Sequence, residues 1–233
     1  MHRKSTRVSL FALVAAGVVA AAPAIAAAQT AVAPQREGET HEVQLRELPT
    51  EGKMAKLQDI VGKPVADFTL TDTEGNSHTL SDYLNDGKIV VIEWFNSTCP
   101  YVVRHYTGDA TMNDTVAKYE DKDVAWLAIA TGRTANAEVN EKAREQWDMN
   151  HPVLLDPSGD VGRAYGSKNT PTMYVISSDG ILAYGGAIDD NASGLDTNPT
   201  NHVEAAVDAL LEGSNVTTTY TKAYGCSVKY SRK

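Results

Sequence analysis

The stretch Lys88 to Tyr106, KIVVIEWFNSTCPYVVRHY, constrains the fold more than any other part of this chain. Ile89, Val90, Val91, Ile92, Trp94 and Phe95 form an apolar run interrupted only by Glu93, the pattern of a central strand buried on both faces. Asn96, Ser97 and Thr98 offer helix N-cap side chains, and Pro100 suits the first turn of a helix. Cys99 is therefore expected at a helix start, where unpaired backbone N–H groups and the helix dipole favour a thiolate. An inert buried cysteine is the plainer alternative, since free cysteine is among the most buried residue types.

Arg3, Lys4 and Arg7 precede an uncharged, alanine- and valine-rich stretch from Val8 to Ala28 with small residues at its end, the pattern of a signal peptide over residues 1–28. We expect an exported protein, periplasmic if its source is a Gram-negative bacterium, with no stable membrane anchor. Residues 29–61 read as a flexible leader, polar and without sustained periodicity. The formal net charge is −9, and removal of the basic leading residues makes it more negative, which argues against nucleic acid as a partner. The two cysteines, Cys99 and Cys226, permit one disulfide or one redox couple.

Further along, Ala66–Leu70 and Ser77–Leu80 alternate around a Gly-containing turn and read as a hairpin that extends the fold at its N-terminal side. Ser81–Leu84 is expected to be a short helical turn. Val102, Val103, Tyr106, Met112, Val116 and Tyr119 recur at helical spacing, weakened at Gly108. Strands are expected over 124–130 and 152–155, with a helix over 136–149 between them and a short helix over 161–165 after. A hairpin follows over 173–176 and 181–184, then a helix over 202–211 ending at Gly213. A tail, 214–233, carries Cys226, and Gly225 with the polar composition is expected to leave it mobile. The alternation fits an α/β sandwich with a mixed central sheet flanked by helices.

Three pieces of the chain resemble the thioredoxin-like superfamily, in its redoxin branch shared by TlpA/ResA-type exported thiol oxidoreductases and AhpC/TSA peroxiredoxins. They are Gly62–Leu70, the junction Glu93-Trp94-Phe95-Asn96-Ser97-Thr98-Cys99-Pro100, and Thr170-Pro171-Thr172. The tail Tyr224–Tyr230 resembles that of a bacterial subgroup. The resemblance implies a redoxin domain over 62–213, with Cys99 as the attacking cysteine and Glu93 as a buried acid that exchanges protons with the cysteines. It implies a cis bond before Pro171, and substrate contacts at Trp94, Thr98, Pro100, Thr170 and Pro171. No cofactor is expected, and no metal, since Cys99 and His105 do not complete a metal site. The partners would be protein or small-molecule thiols and disulfides, peroxides as a further option, and an external thiol reductant.

The departures are as informative. Val102 stands where thioredoxins carry the second cysteine, so Cys226 is the candidate resolving cysteine. Asn96 and Ile92 stand where peroxiredoxins carry Thr or Ser and Pro, although Thr98 and Arg104 leave a variant pocket open. Val103 breaks the cysteine spacing of copper-delivering relatives. The competing reading is a non-catalytic binding module, a metal carrier using Cys99 with His105 or a docking domain, in which Cys99–Cys226 is a structural disulfide. His78, His105, His151 and His202 are expected to be solvated or helix-capping. Trp94 and Phe95 are expected as core aromatics bordering the cysteine.

Overall fold

The computed structural model describes residues 43–49 and 53–231. The expected signal peptide and the leader up to residue 42 lie outside the described residues, as do residues 50–52.

The expected central strand forms as β3, Ile89–Phe95, with all seven residues buried. It pairs in parallel with β4, Val124–Thr131, and antiparallel with β7, Met173–Ile176. β4 pairs in parallel with β5, Val153–Asp156; β1, Thr69–Asp72, runs antiparallel to β5 and to β2, Ser77–Thr79. β8, Leu182–Gly186, closes the other edge against β7. The sheet order β2-β1-β5-β4-β3-β7-β8 is a mixed sheet of thioredoxin-like form, with the first hairpin as its N-terminal extension.

Because side chains alternate along a strand, β3 feeds two cores. Ile89, Val91 and Phe95 face one cluster, which also contains Cys99, Val102, Tyr106 and Met112. Val90, Ile92 and Trp94 face the other, with Phe68, Leu127, Tyr165 and Tyr174. Each of these large side chains contributes about 1.5–3 kcal/mol by leaving water. The first face is covered by α3, Pro100–Val103, by α4, Thr111–Lys118, and by α7, His202–Leu211, whose start is capped by Asn201 accepting from Val203 N and Glu204 N. Further helices are α1, Leu57–Ile60, α2, Leu80–Asn85, α5, Ala137–Gln146, and α6, Asp160–Ala164.

Three expectations need correction. The helical spacing after Cys99 is not one helix: α3 passes into a π turn, Arg104–Gly108, and Ala110 adopts a left-handed conformation (φ 53°) before α4 restarts. The wider π turn lets the consecutive residues His105 and Tyr106 both turn inward.

The described part of the 29–61 leader is packed, not detached. Val43 is buried, Arg46 bridges Ala66, and Leu57 of α1 fills the space over Gly185.

The tail is also docked. Cys226–Ser227 forms β9, antiparallel to β6, Asn169–Thr170, with Thr170 opposite Cys226. Among the described residues, no helix is long and apolar enough to cross a membrane.

Candidate active site

Cys99 stands at the N-cap position of α3, directly after the turn that leaves β3. Asn96 organises that turn: its carbonyl accepts from Cys99 N at 2.9 Å, and its side chain accepts from Thr98 N at 3.1 Å and Thr98 Oγ1 at 2.9 Å. Asn96 therefore holds the turn that was expected to provide the cap, and Cys99 itself occupies the cap position without a side-chain cap bond. Thr98 and Pro100 are exposed beside it, whereas Cys99 is 1% exposed.

The Cys99 thiol donates to the Thr170 carbonyl at 3.0 Å, and the Thr170–Pro171 bond is cis. Strand β9 pairs with Thr170 and thereby carries Cys226 to Cys99. Both sulfurs are free thiols here. Burial works against the Cys99 thiolate. Hydrogen bonds from the Cys226 thiol, from the Thr170 hydroxyl and from the N–H groups of Val102 and Cys226 outweigh that burial and hold its pKa below the ordinary value. The Cys226 thiol moves oppositely, up to about 11, through burial, its hydrogen bond to Cys99 and the adjacent Cys99 charge. Cys99 is thus the more acidic sulfur of the pair and Cys226 the less acidic.

The sulfur on the tail is not on a flexible arm, contrary to the expectation from Gly225 and the polar composition. Tyr224 donates to Asp189 Oδ1, pairs with His105 Nε2 at 3.0 Å and lies 6.0 Å from the Arg104 guanidinium. Beyond Cys226, Tyr230 donates to the Ser167 carbonyl at 2.7 Å and lies 4.8 Å under the Arg163 guanidinium. Gly225 lets the strand close on Thr170, because a Cβ there would run into the Thr170 carbonyl. Tyr230 sits in a notch at Gly162, where a Cβ would meet its hydroxyl at 2.6 Å.

Glu93 is fully buried on β3, on the same face as Cys99, and its Oε2 accepts from Tyr106 at 2.5 Å. Burial pushes its pKa up to about 8, against the hydrogen bond from Tyr106 that favours the charged form. Tyr106 also pairs with His151 Nε2 at 3.2 Å. His151 is itself buried, which together with the Arg144 charge depresses its pKa to about 3. The carboxyl's hydrogen-bond partner is thus Tyr106 and not Cys99. Its second oxygen, Oε1, is buried without a partner.

Two more expectations fail on burial. Trp94 does not face substrate: it is fully buried on the opposite face of the sheet from Cys99, donating to Thr131 Oγ1 at 3.1 Å. Its even-numbered place on β3 sends it to the other core. His105 and His151 are buried, not solvated. His105 is directed at Tyr224 and at Asp189, 4.0 Å away, and not at Cys99. Among the described residues no group of three or more His, Cys, Asp or Glu could hold a metal.

Sequence reasoning did not single out Tyr106, Tyr224, Tyr230 or Asp189 as parts of the site. The signal for two of them was available, since aromatic residues in an otherwise polar tail need somewhere to pack.

The profile of the AhpC/TSA family matches residues 61–185, more than half of the chain. The thiol-disulfide oxidoreductase ResA of Bacillus thuringiensis subsp. konkukian (strain 97-27) is 30% identical over 120 residues, covering 52% of this chain and 65% of that protein. The match therefore spans just under two thirds of the relative's length. Among solved structures, a hypothetical protein from Sinorhizobium meliloti 1021 aligns with a TM-score of 0.66 at 29% identity, covering 74% of this chain and 96% of that one. An uncharacterized conserved protein from Geobacillus kaustophilus also gives 0.66, at 28% identity, covering 74% and 93%.

Proposed function

Since the chain belongs to the AhpC/TSA family, we propose that it is a thiol–disulfide oxidoreductase whose working couple is Cys99 and Cys226. The observation that carries this reading is the pairing of β9 with Thr170, which delivers the chain's second cysteine to a Cys99 sulfur already hydrogen-bonded to the Thr170 carbonyl. A couple needs one sulfur poised as thiolate and a second thiol within reach to close the disulfide. Cys99 fills the first role, with the Cys226 thiol donating to it.

The substrates of this reading are disulfides and thiols, as the name of the ResA relative indicates for that protein. Reduction of the couple draws on an external thiol. In the oxidised protein a bond joins the two sulfurs. In the reduced protein Cys99 is the more acidic thiol and Cys226 the less acidic one.

Glu93 is the group proposed to take up or supply a proton as the couple turns over, because burial places its pKa near neutrality. Thr98 and Pro100, exposed beside Cys99, are the proposed substrate contacts, whereas Thr170 and Pro171, expected to share that role, are buried with the Thr170 edge taken by β9. Export is part of the proposal on the strength of the leading residues 1–28, and the N-terminal sequence of the protein recovered from cells tests it.

Turnover of a protein disulfide by the purified chain and by Cys99→Ser is the direct test of the couple. Loss of turnover in Cys99→Ser is expected. Full turnover in that variant overturns the proposal.

A further inference from the structure

The two sulfurs are not equally reachable. Cys99 is 1% exposed, beneath the strand that carries Cys226, whereas Cys226 is partly exposed. The cover is built in. Residues 219–231 run as a strap from Thr219 and Thr221, which hydrogen-bond Gly185, to Lys229, whose carbonyl accepts from Arg133 N at 2.9 Å. Tyr224 and Tyr230 clamp it on either side of Cys226, each against an arginine. The notches beneath it are made by missing side chains: a Cβ on Gly132 would meet the Lys229 carbonyl at 2.5 Å, and one on Gly162 would meet the Tyr230 hydroxyl.

Disulfide exchange requires three sulfurs in line, so the attacked or attacking sulfur must be open on the side away from its partner. Cys99 is buried, its sulfur against the Thr170 carbonyl, and Thr170 is paired with Cys226 on the strap. We infer that external sulfur is exchanged at Cys226, on the strap, and that Cys99 at the helix start is the buried internal partner.

This rests on the proposed couple and reverses the order in which its sulfurs meet the outside. For reduction, an external thiolate attacks Cys226 Sγ of the oxidised couple. The Cys99–Cys226 bond breaks, and the electron pair leaves on Cys99 as thiolate. A second external thiolate attacks the sulfur now joined to Cys226, releasing the external disulfide, and the Cys226 sulfur takes a proton from solvent.

For oxidation by a substrate disulfide, the Cys226 sulfur attacks one substrate sulfur as its proton passes to Cys99, and the first substrate thiolate leaves. Cys99 then attacks Cys226 Sγ, giving its proton to the departing second substrate thiolate. Two electrons have then moved to substrate and the couple is oxidised. The polarity suits the chemistry of the pair, since the sulfur that best carries charge is the better leaving group.

The test uses the full chain and the aromatic disulfide 5,5′-dithiobis(2-nitrobenzoate) as probe, whose thiolate product is read by absorbance. Cys99→Ser leaves Cys226 alone, and Cys226→Ser leaves Cys99 alone under the strap. Cys226 is expected to react about tenfold or more faster than Cys99 at mildly alkaline pH, despite its higher thiol pKa. Adding Gly225→Ala to Cys226→Ser, which forces the strap off Thr170, is expected to raise the Cys99 rate by about tenfold. A Cys99 that reacts as fast as Cys226, or whose rate is unmoved by Gly225→Ala, overturns the inference. Mass analysis of the oxidised parent separates the two layers. Absence of a Cys99–Cys226 bond overturns the couple itself, whereas its presence with Cys99 as the faster sulfur overturns only the polarity.

Discussion

Replacing Glu93 with glutamine keeps the shape of a fully buried side chain and removes its titration. The folded protein holds this proton up to a pKa of about 8, whereas the ordinary value is 4.5. Between those values the folded chain binds a proton that the unfolded chain has released. The stability tied to the protonated carboxyl is therefore complete below about pH 4.5 and is lost as pH rises to about 8. The full gap corresponds to about 5 kcal/mol, of which about 4 kcal/mol falls between pH 5 and pH 9.

Urea unfolding of the parent and of Glu93→Gln at pH 5, 7 and 9 measures it. Other groups titrate in both proteins, His151 among them, and cancel in the difference. The stability of the parent relative to the variant is expected to fall by about 4 kcal/mol across that range. Curves that stay parallel would refute the account of Glu93 as a desolvated, protonated acid.

Three further outcomes follow from the same structure. His151, neutral in the fold with its pKa at about 3, costs stability as pH falls below the ordinary 6.5, so His151→Gln is expected to flatten the acid limb of the unfolding curve between about pH 6 and pH 4. Thiolate absorbance at 240 nm is expected to show Cys99 titrating below the ordinary thiol value, and Cys226→Ala, which removes its foremost hydrogen-bond donor, to move that midpoint upward. Gly162→Ala fills the notch under Tyr230, so limited trypsin digestion is expected to cut at Lys229 sooner, with a stability loss of about 1–3 kcal/mol by unfolding.

How far the sequence reached depends on the range of the forces involved. β3, the hairpin at β7 and β8 and the helix at α7 were legible because their signals are local: a continuous β-branched run, a Ser-Asp-Gly turn, and an apolar face ending at a glycine. Cys99 at a helix start was legible for the same reason, and Glu93 stood out as the one charge in an apolar strand.

The docking of the tail was not legible, because its anchors are glycines on separate elements, Gly132, Gly162 and Gly185, which the chain brings together only on folding. Polarity along 214–233 resembled a free tail, while Tyr224 and Tyr230 were spending their rings on Arg104 and Arg163. Trp94 was misplaced by adjacency: a neighbour of the site in sequence sits across the sheet from it in space. The burial of His105 and Tyr106 depended on the π turn, which no local pattern marked.

The central claim is that Cys99 and Cys226 form an exchangeable redox couple. Its most direct test is the reduction potential of the purified protein, equilibrated in thiol–disulfide buffers with the Cys99–Cys226 bond followed by mass spectrometry. The account expects a linked pair with a potential above about −250 mV, in the range of catalytic couples. A potential below about −300 mV would mark a structural bond, and no linked pair at any potential would leave Cys99 without its partner; either result contradicts the claim.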